Sequence, residues 1–218
     1  MPSGIRALIF DLDGVITDTA EFHYRSWKRL ADEEGIPFTR EDNEALRGVS
    51  RRESLNRMLK GRSIDEETAQ AWMTRKNEYY LAHLDELTPA HRLPGVTRLL
   101  EDARHIGLRL GLGSASKNAR SVLEKLALLD AFDALGDGFS VVNPKPAVDL
   151  FVWVAGRLAV YPQQAIVFED AEAGIEAARN GGFWTVGIGT ATRGLADVHY
   201  DTMADVKLAE VLSKVGDG

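Results

Sequence analysis

The sequence predicts an α/β protein: an open, doubly wound parallel sheet with a helical block inserted close to its start. Three observations predict it. Short apolar runs rich in strand-forming residues recur at Ala7 to Phe10, Leu108 to Leu112, Ala165 to Phe168 and Trp184 to Ile188. Helical periodicity fills the intervals between the last three of them. Residues 17–92 hold several helix starts and no convincing strand. Runs that are continuously apolar, rather than alternating, belong to strands covered on both faces, as parallel strands are.

In chain order, the first strand runs directly into the acidic turn Asp11-Leu12-Asp13-Gly14. Within the insertion, Ser50-Arg51-Arg52-Glu53 and Ser63-Ile64-Asp65-Glu66 both fit the Ser-x-x-Glu capping box, in which each side chain satisfies an orphan backbone N–H. Beyond it, Pro94-Gly95 opens a helix that Gly107 closes. Asn118 to Leu128, Ala147 to Leu158 and Ile175 to Asn180 read as further helices, the last stopped by Gly181-Gly182, and Val206 to Val211 as a closing one. Strand and helix alternate in the manner of a repeating βα fold. The expected division is a core of residues 1–16 and 93–218 and a helical domain of residues 17–92.

The chain has 218 residues, 44% hydrophobic and 27% charged, which is globular composition and enough chain to bury roughly 70% of its unfolded surface. The charge, 26 basic against 33 acidic residues, is net −7 without a basic arm, so nucleic acid and anionic membrane are not expected partners. The insertion holds 13 of the basic residues beside 15 acidic ones; a solvated helical surface accounts for most of them, and a few placed cations suit an anionic ligand. With no cysteine, disulfides, thiolate nucleophiles, iron–sulfur clusters and cysteine zinc sites are excluded. The apolar run before Asp11 is too short for a secretory segment and no run reaches the ~20 residues of a membrane span, so a cytoplasmic location is expected.

Asp11 and Asp13 carry the strongest chemical signal. Two carboxylates just past an apolar strand stand where open α/β sheets bind ligands, and they repel unless a cation, a shared proton, or both lie between them. A calcium EF-hand loop does not fit, since glycine falls at the fourth position and Phe22 at the twelfth. Dinucleotide, P-loop, nucleophile-elbow and His-x3-His patterns are missing too. Three more clusters follow strands. Ser114-Ala115-Ser116-Lys117-Asn118 fits either a plain helix cap or an anion site, Lys145 precedes the next helix, and Glu169-Asp170 forms a second acidic pair suited to a hard cation.

Together, Asp11-x-Asp13-Gly14, Ser114, Lys145 and Glu169-Asp170 resemble the four motifs of the haloacid dehalogenase superfamily of phosphotransferases, in order and over most of the chain. The resemblance implies a Rossmann-like doubly wound parallel sheet with an inserted helical cap domain. It implies that Asp11 is the nucleophile on phosphorus and Asp13 the general acid and base. Mg²⁺ is then expected on Asp11, the backbone carbonyl of Asp13, Glu169 and Asp170, and the transferring phosphoryl group on Ser114, Ala115 and Lys145.

More narrowly, Asp11 to His23, Trp27, Gly48-Val49-Ser50-Arg51, Arg75-Lys76-Asn77 and Ser116-Lys117-Asn118 are similar to the β-phosphoglucomutase branch of that superfamily. This implies interconversion of β-glucose 1-phosphate and glucose 6-phosphate through an aspartyl-phosphate, with β-glucose 1,6-bisphosphate as activator and intermediate. Substrate contacts are then expected from Thr19, His23, Trp27, Gly48, Val49, Ser50, Arg51, Lys76, Ser116, Lys117 and Asn118, with Arg51 and Ser116 to Asn118 on the phosphate that is not being transferred. Taken alone, His23 and Trp27, one helical turn apart, fit packing as readily as recognition. A Mg-dependent sugar-phosphate phosphatase and a non-catalytic phosphosugar sensor are the alternatives, and a monomer with a cap hinged near residues 15–18 and 88–94 is expected. Arg47, where this branch leads one to expect lysine, and Asn143-Pro144 before Lys145 are departures from it.

Overall fold

Strand β1 (Ala7–Phe10) lies inside a six-stranded sheet whose order is β3-β2-β1-β4-β5-β6, every neighbouring pair parallel. The other strands are β2 (Arg109–Gly113), β3 (Ala134–Gly136), β4 (Ala165–Glu169), β5 (Trp184–Ile188) and β6 (Val198–Tyr200). These positions come from a computed structural model that describes residues 4–215; Met1 to Ser3 and residues 216–218, at the outer ends of the expected core, lie outside the described residues. The chain winds outward from β1 to β3 on one side and from β4 to β6 on the other. The strand order therefore reverses between β1 and β4, and the crevice at their carboxyl ends is the ligand position of such sheets.

Alternation along the strands builds two apolar layers. Leu8, Phe10, Leu110, Leu112, Ile166 and Phe168 face one layer, closed by α5 (Val96–His105), α6 (Ala119–Lys125) and α9 (Leu208–Lys214). Ala7, Ile9 and Val167 face the other, closed by α7 (Asp149–Arg157) and α8 (Glu172–Asn180) through Phe151, Val154 and Ala177. Phe10 and Phe168 stack across β1 and β4 with ring centroids 4.8 Å apart. The doubly wound parallel sheet expected from the sequence is thus present.

Between β1 and α5 the chain forms α1 (Ala20–Glu33), α2 (Arg40–Glu44), α3 (Arg51–Leu59) and α4 (Glu66–Leu84), and no strand. Trp27, Leu30, Phe38, Leu55, Met58 and Met73 make an apolar centre separate from the sheet's. The far end of α4 departs from this: Tyr80 and Leu84 pack with Val15 and Ile16 in the layer of the sheet. The segments entering and leaving the insertion run side by side, Thr17 bridging Arg92, the Leu93 N–H donating to the Ile16 carbonyl at 2.9 Å and the Thr17 hydroxyl to the His91 carbonyl at 2.8 Å.

Several local expectations are corrected. Strands β3 and β6 were not foreseen, because three residues each carry no readable period. The helix expected over Asn118 to Leu128 ends at Lys125, where Ala127 turns into the left-handed region at φ 51°. Only half of the first expected capping box forms: Ser50 accepts from the Glu53 N–H at 3.2 Å, while the Glu53 carboxylate pairs with Arg57. The second is displaced, since Asp65 and not Ser63 caps α4, a carboxylate accepting from the Thr68 N–H at 2.7 Å being the stronger partner at a helix start. Helices α7, α8 and α9 begin within a few residues of the expected ones. No helix among the described residues is long and apolar enough to cross a membrane.

Because Phe168 is fully buried and stacked on Phe10, Phe168→Ala is expected to lower the unfolding free energy by about 3–5 kcal/mol in urea titrations. A loss below about 1 kcal/mol would contradict the central place given to this pair.

Candidate active site

The Asp11 N–H donates to the Phe168 carbonyl at 2.9 Å, continuing the β1–β4 ladder one residue past the strand and fixing a nearly buried carboxylate at the mouth of the crevice. The chain then turns sharply at Gly14, whose φ is 78°; a Cβ there would lie 2.0 Å from Asp170 Oδ2, so only glycine lets this turn pass the end of β4. Glu169, the last residue of β4, is fully buried. One of its oxygens accepts from the N–H groups of Asp170 at 3.1 Å and Ala171 at 3.0 Å, and the other from Lys145 Nζ at 2.7 Å. Lys145 donates as well to Asp11 Oδ1 at 2.5 Å.

One buried ammonium thus stands between two acids with a third beside them. Burial works against the charge of Lys145, yet Asp11 and Glu169 hold its pKa above the usual lysine range. Burial pushes Glu169 up to about 7, Asp11 adding to the effect and Lys145 opposing it. Asp170 is raised well above the usual carboxylate range by burial and by the charges of Glu169 and Asp11. Oxygens of Asp11, Glu169 and Asp170 all lie within 4.8 Å of one another. Three hard oxygen donors with a single ammonium among them leave negative charge that a divalent hard cation suits, so the residues fit one. The Asp13 carboxylate stands outside that trio.

Asp13 is half-buried, and burial with the neighbouring Asp11 charge pushes its pKa up to about 6, against the hydrogen bond from Thr19. Thr19, immediately before α1, donates its hydroxyl to Asp13 Oδ1. At the end of β2, the Ser114 N–H donates to the Gly136 carbonyl at 3.0 Å; the Ser114 hydroxyl accepts from the Ser116 N–H and the Ser116 hydroxyl from the Asn118 N–H, both at 3.1 Å. The turn that presents Ser114 to Asn118 is therefore held by its own hydroxyls.

The insertion closes the site from above. His23 and Trp27 share a face of α1, and Lys76 of α4 reaches between them, its Nζ 3.0 Å from His23 Nδ1 and 5.0 Å from the centre of the Trp27 ring. Burial, with the cations nearby, drives the pKa values of His23 and Lys76 well below their usual ranges. Arg51, first residue of α3, donates to Asn77 Oδ1 at 2.7 Å, and Asn118 Nδ2 donates to the same oxygen at 2.8 Å. A cap guanidinium and a core amide are thereby brought to one point.

A single cavity contains Asp11, Asp13, His23, Trp27, Gly48, Val49, Arg51, Lys76, Ser114, Ala115, Ser116, Lys117, Asn118 and Asp170 on its walls. Four expected site residues stand back from it. Lys145 and Glu169 lie beneath Asp11, Thr19 sits behind Asp13, and the Ser50 hydroxyl is engaged in capping α3. The sequence reading passed over Ala20, Asn43, Leu46 and Ser54, which also line the cavity, because short or apolar side chains on helix faces look like packing. It left Asn77 without a role, and it noted Arg47 as a departure without foreseeing that Arg47 Nη1 donates to Asp170 Oδ2 at 3.1 Å.

Comparison with known proteins agrees with this geometry. The family model for haloacid dehalogenase-like hydrolases matches residues 8–188. The chain is 42% identical over 189 residues to a β-phosphoglucomutase of Bacillus subtilis, covering 85% of this chain and 84% of that protein. It is 32% identical over 181 residues to a phosphorylated carbohydrates phosphatase of Thermotoga maritima, covering 82% of each. Among solved structures, a β-phosphoglucomutase from Clostridium difficile superposes with a TM-score of 0.93 at 40% identity, covering 97% of both chains.

The raised carboxyls carry a stability consequence. Folding lifts Glu169 from 4.5 to about 7 and Asp13 from 3.8 to about 6, so from about pH 4 to pH 7 the folded chain holds protons that the unfolded chain has released. Stability present at low pH is therefore lost as pH rises through these values. In chelator, the thermal midpoint is expected to fall from pH 5 to pH 8, and a divalent salt to raise it more at pH 8 than at pH 5. A flat profile in chelator would contradict this account of the cluster.

Proposed function

The chain belongs to the haloacid dehalogenase-like hydrolase family, and within it we propose a β-phosphoglucomutase that interconverts β-D-glucose 1-phosphate and glucose 6-phosphate through an aspartyl-phosphate on Asp11 and β-glucose 1,6-bisphosphate. One observation carries the reading: the cavity wall carries two unlike groups, the acids Asp11, Asp13 and Asp170 with Lys145 beneath Asp11, and the donors Arg51, Lys117 and Asn118. A substrate with two phosphates in turn needs both groups. A simple phosphatase needs only the first.

In this reading Asp11 attacks phosphorus of the bisphosphate, the bond from phosphorus to the sugar oxygen breaks, and Asp13 gives its proton to that leaving oxygen. In the reverse direction Asp13 takes the proton of the attacking sugar hydroxyl as phosphorus passes back from Asp11. A carboxyl held at about 6 suits both tasks near neutral pH. Lys145, the Ser114 hydroxyl and the backbone at Ala115 hold the equatorial oxygens in line with Asp11. Asp11, Glu169, Asp170 and the Asp13 carbonyl would hold Mg²⁺, which would neutralise charge on the transferring group.

Arg51 with Ser116, Lys117 and Asn118 takes the phosphate that waits, where a planar guanidinium pairs well with an oxyanion. His23, Trp27 and Lys76 line the sugar's place, Gly48, Val49 and Ser50 form the cap loop over it, and Thr19 holds Asp13. Residues 17–92 act as the cap on a core of residues 1–16 and 93–218, swinging at the paired segments near Thr17 and Arg92 to expel water before transfer. A cap free to swing favours a monomer, and phosphorylated sugars as substrates favour a cytoplasmic location. The second reading, a sugar-phosphate phosphatase, draws on the likeness to the Thermotoga maritima phosphatase; it keeps the acidic group and leaves Arg51 without a task.

With Mg²⁺ and a trace of the bisphosphate, glucose 6-phosphate is expected from β-glucose 1-phosphate and not from the α-anomer, with little free phosphate. Steady phosphate release without isomer would favour the phosphatase. Arg51→Ala is expected to lower isomerisation at least tenfold while hydrolysis of the phosphoenzyme continues, a buried charge-assisted contact being worth about 1.5–3 kcal/mol. Asp11→Asn and chelation of the metal are each expected to abolish both activities.

A further inference from the structure

We propose that Asn77 is a positioning residue for the phosphate that waits: its neutral carbonyl oxygen gathers a cap guanidinium and a core amide at one point and leaves the charge of the guanidinium for the phosphate. The proposal deepens the mutase reading and rests on it. Asn77 Oδ1 accepts from Arg51 Nη2 at 2.7 Å and from Asn118 Nδ2 at 2.8 Å. Arginine has no acceptor atom, so the atom that faces it is the amide oxygen, and the two lone pairs of that oxygen match the two donors. Three elements thereby meet on one atom: Arg51 opens α3, Asn77 lies on α4, and Asn118 stands just before α6. Arg51 and Asn118 line the cavity and Asn77 does not, so its part is to hold those that do.

The chemistry of the acceptor matters because Arg51 has no carboxylate partner. Of the three arginines on α3, Arg52 pairs with Glu66 and Arg57 with Glu53, whereas Arg51 forms no ion pair among the described residues. It is half-buried at the first turn of α3, where the helix dipole disfavours a cation, and burial works against its charge. A guanidinium has five N–H groups, and Asn77 engages Nη2 alone. The others, with a charge that no ion pair cancels, stay available to a phosphate oxygen. An aspartate at this position has the same size and accepts the same two donors, yet it neutralises Arg51 and sets a negative charge beside the phosphate. Asparagine keeps the geometry of an ion pair without its charge. A guanidinium on a flexible stem also loses less freedom on binding when it is already held, so the tether contributes to affinity as well as to aim.

The test compares Asn77→Ala, which removes the acceptor, with Asn77→Asp, which keeps it and adds charge. For β-glucose 1-phosphate with Mg²⁺ and bisphosphate, KM is expected to rise roughly three- to tenfold in Asn77→Ala and beyond about tenfold in Asn77→Asp. In both, kcat is expected to stay within about threefold, the split that marks an interaction made equally in the ground and transition states. A merely structural role gives the opposite order, since the isosteric change disturbs packing least. In an Arg51→Ala background, Asn77→Ala is expected to raise KM less than it does alone, because Asn77 acts through Arg51. Thermal midpoints check folding, and the cycle with Arg51 carries the test if Asn77→Asp does not fold. Unchanged KM in both variants, Asn77→Asp no worse than Asn77→Ala, a loss confined to kcat, or multiplicative losses in the double variant would overturn the proposal. In a parent that isomerises, those outcomes overturn the role of Asn77 alone. A parent that releases phosphate without isomerising overturns the mutase reading and the proposal with it.

Discussion

The site depends on one buried contact, the Lys145 ammonium shared between Asp11 and Glu169. Two carboxylates at the ends of adjacent parallel strands would repel in a low-dielectric crevice, and removing a buried cation from such a group leaves uncompensated charge that is strongly destabilising. Lys145 lets β1 and β4 deliver acids side by side. Much of the nearby backbone serves this arrangement: Asp170 and Ala171 turn their N–H groups onto Glu169, and at Gly174 a Cβ would lie 2.0 Å from a Glu169 oxygen. Even so, one ammonium among four acids, counting Asp13, leaves a site that still attracts positive charge. Burial, with the repulsion between the acids, raises the pKa values of Asp13, Glu169 and Asp170, and the imbalance suits the cluster to a cation.

The insertion answers the core with charges of the opposite kind. Arg47 reaches Asp170, and Arg51 meets Asn118 through Asn77, so two side chains of the cap make polar contacts with groups the core presents. These contacts cross a boundary that the apolar packing respects, since the cluster around Trp27 and Leu55 is separate from those of the sheet. Polar links between two apolar bodies form and break with less loss than a shared core does, because water satisfies the same groups when they part. Tyr80, Leu84 and Leu87, with Phe22 packed against the same cluster, are the exceptions, and they join Val15 and Ile16 near the paired segments Thr17 and Arg92.

Much of this was legible in the sequence because strand-end chemistry is local. Asp11, Asp13, Glu169 and Asp170 each follow a run whose apolar continuity marks a parallel strand, and the sheet gathers such strand ends at one edge. The four longer strands were found by the same continuity, whereas Ala134–Gly136 and Val198–Tyr200 have too few residues to show a period and are recognised only by pairing with β2 and β5. Ser63 was mistaken for a cap because Asp65 competes for the same helix start, and choosing between them requires the backbone conformation. Asn77 and Tyr80 were not assigned roles for another reason. Their partners lie on other elements, as Asn77 shows between Arg51 and Asn118, and no spacing along the chain encodes that meeting.

The two groups on the cavity wall differ in a way that bears on one-at-a-time transfer. Near Asp11 the carboxylates outnumber the Lys145 ammonium and the Arg47 guanidinium, and β1 aligns Asp11 among them. Arg51, Lys117 and Asn118 supply donors on the same wall, apart from the Asp11, Glu169 and Asp170 cluster. Lys76 and His23 line the same cavity, and burial with the cations nearby works against the charge of both. On the mutase reading, a sugar with a phosphate at each end would meet unlike surroundings at its two ends, and reversal in the cavity would exchange which phosphate faces Asp11.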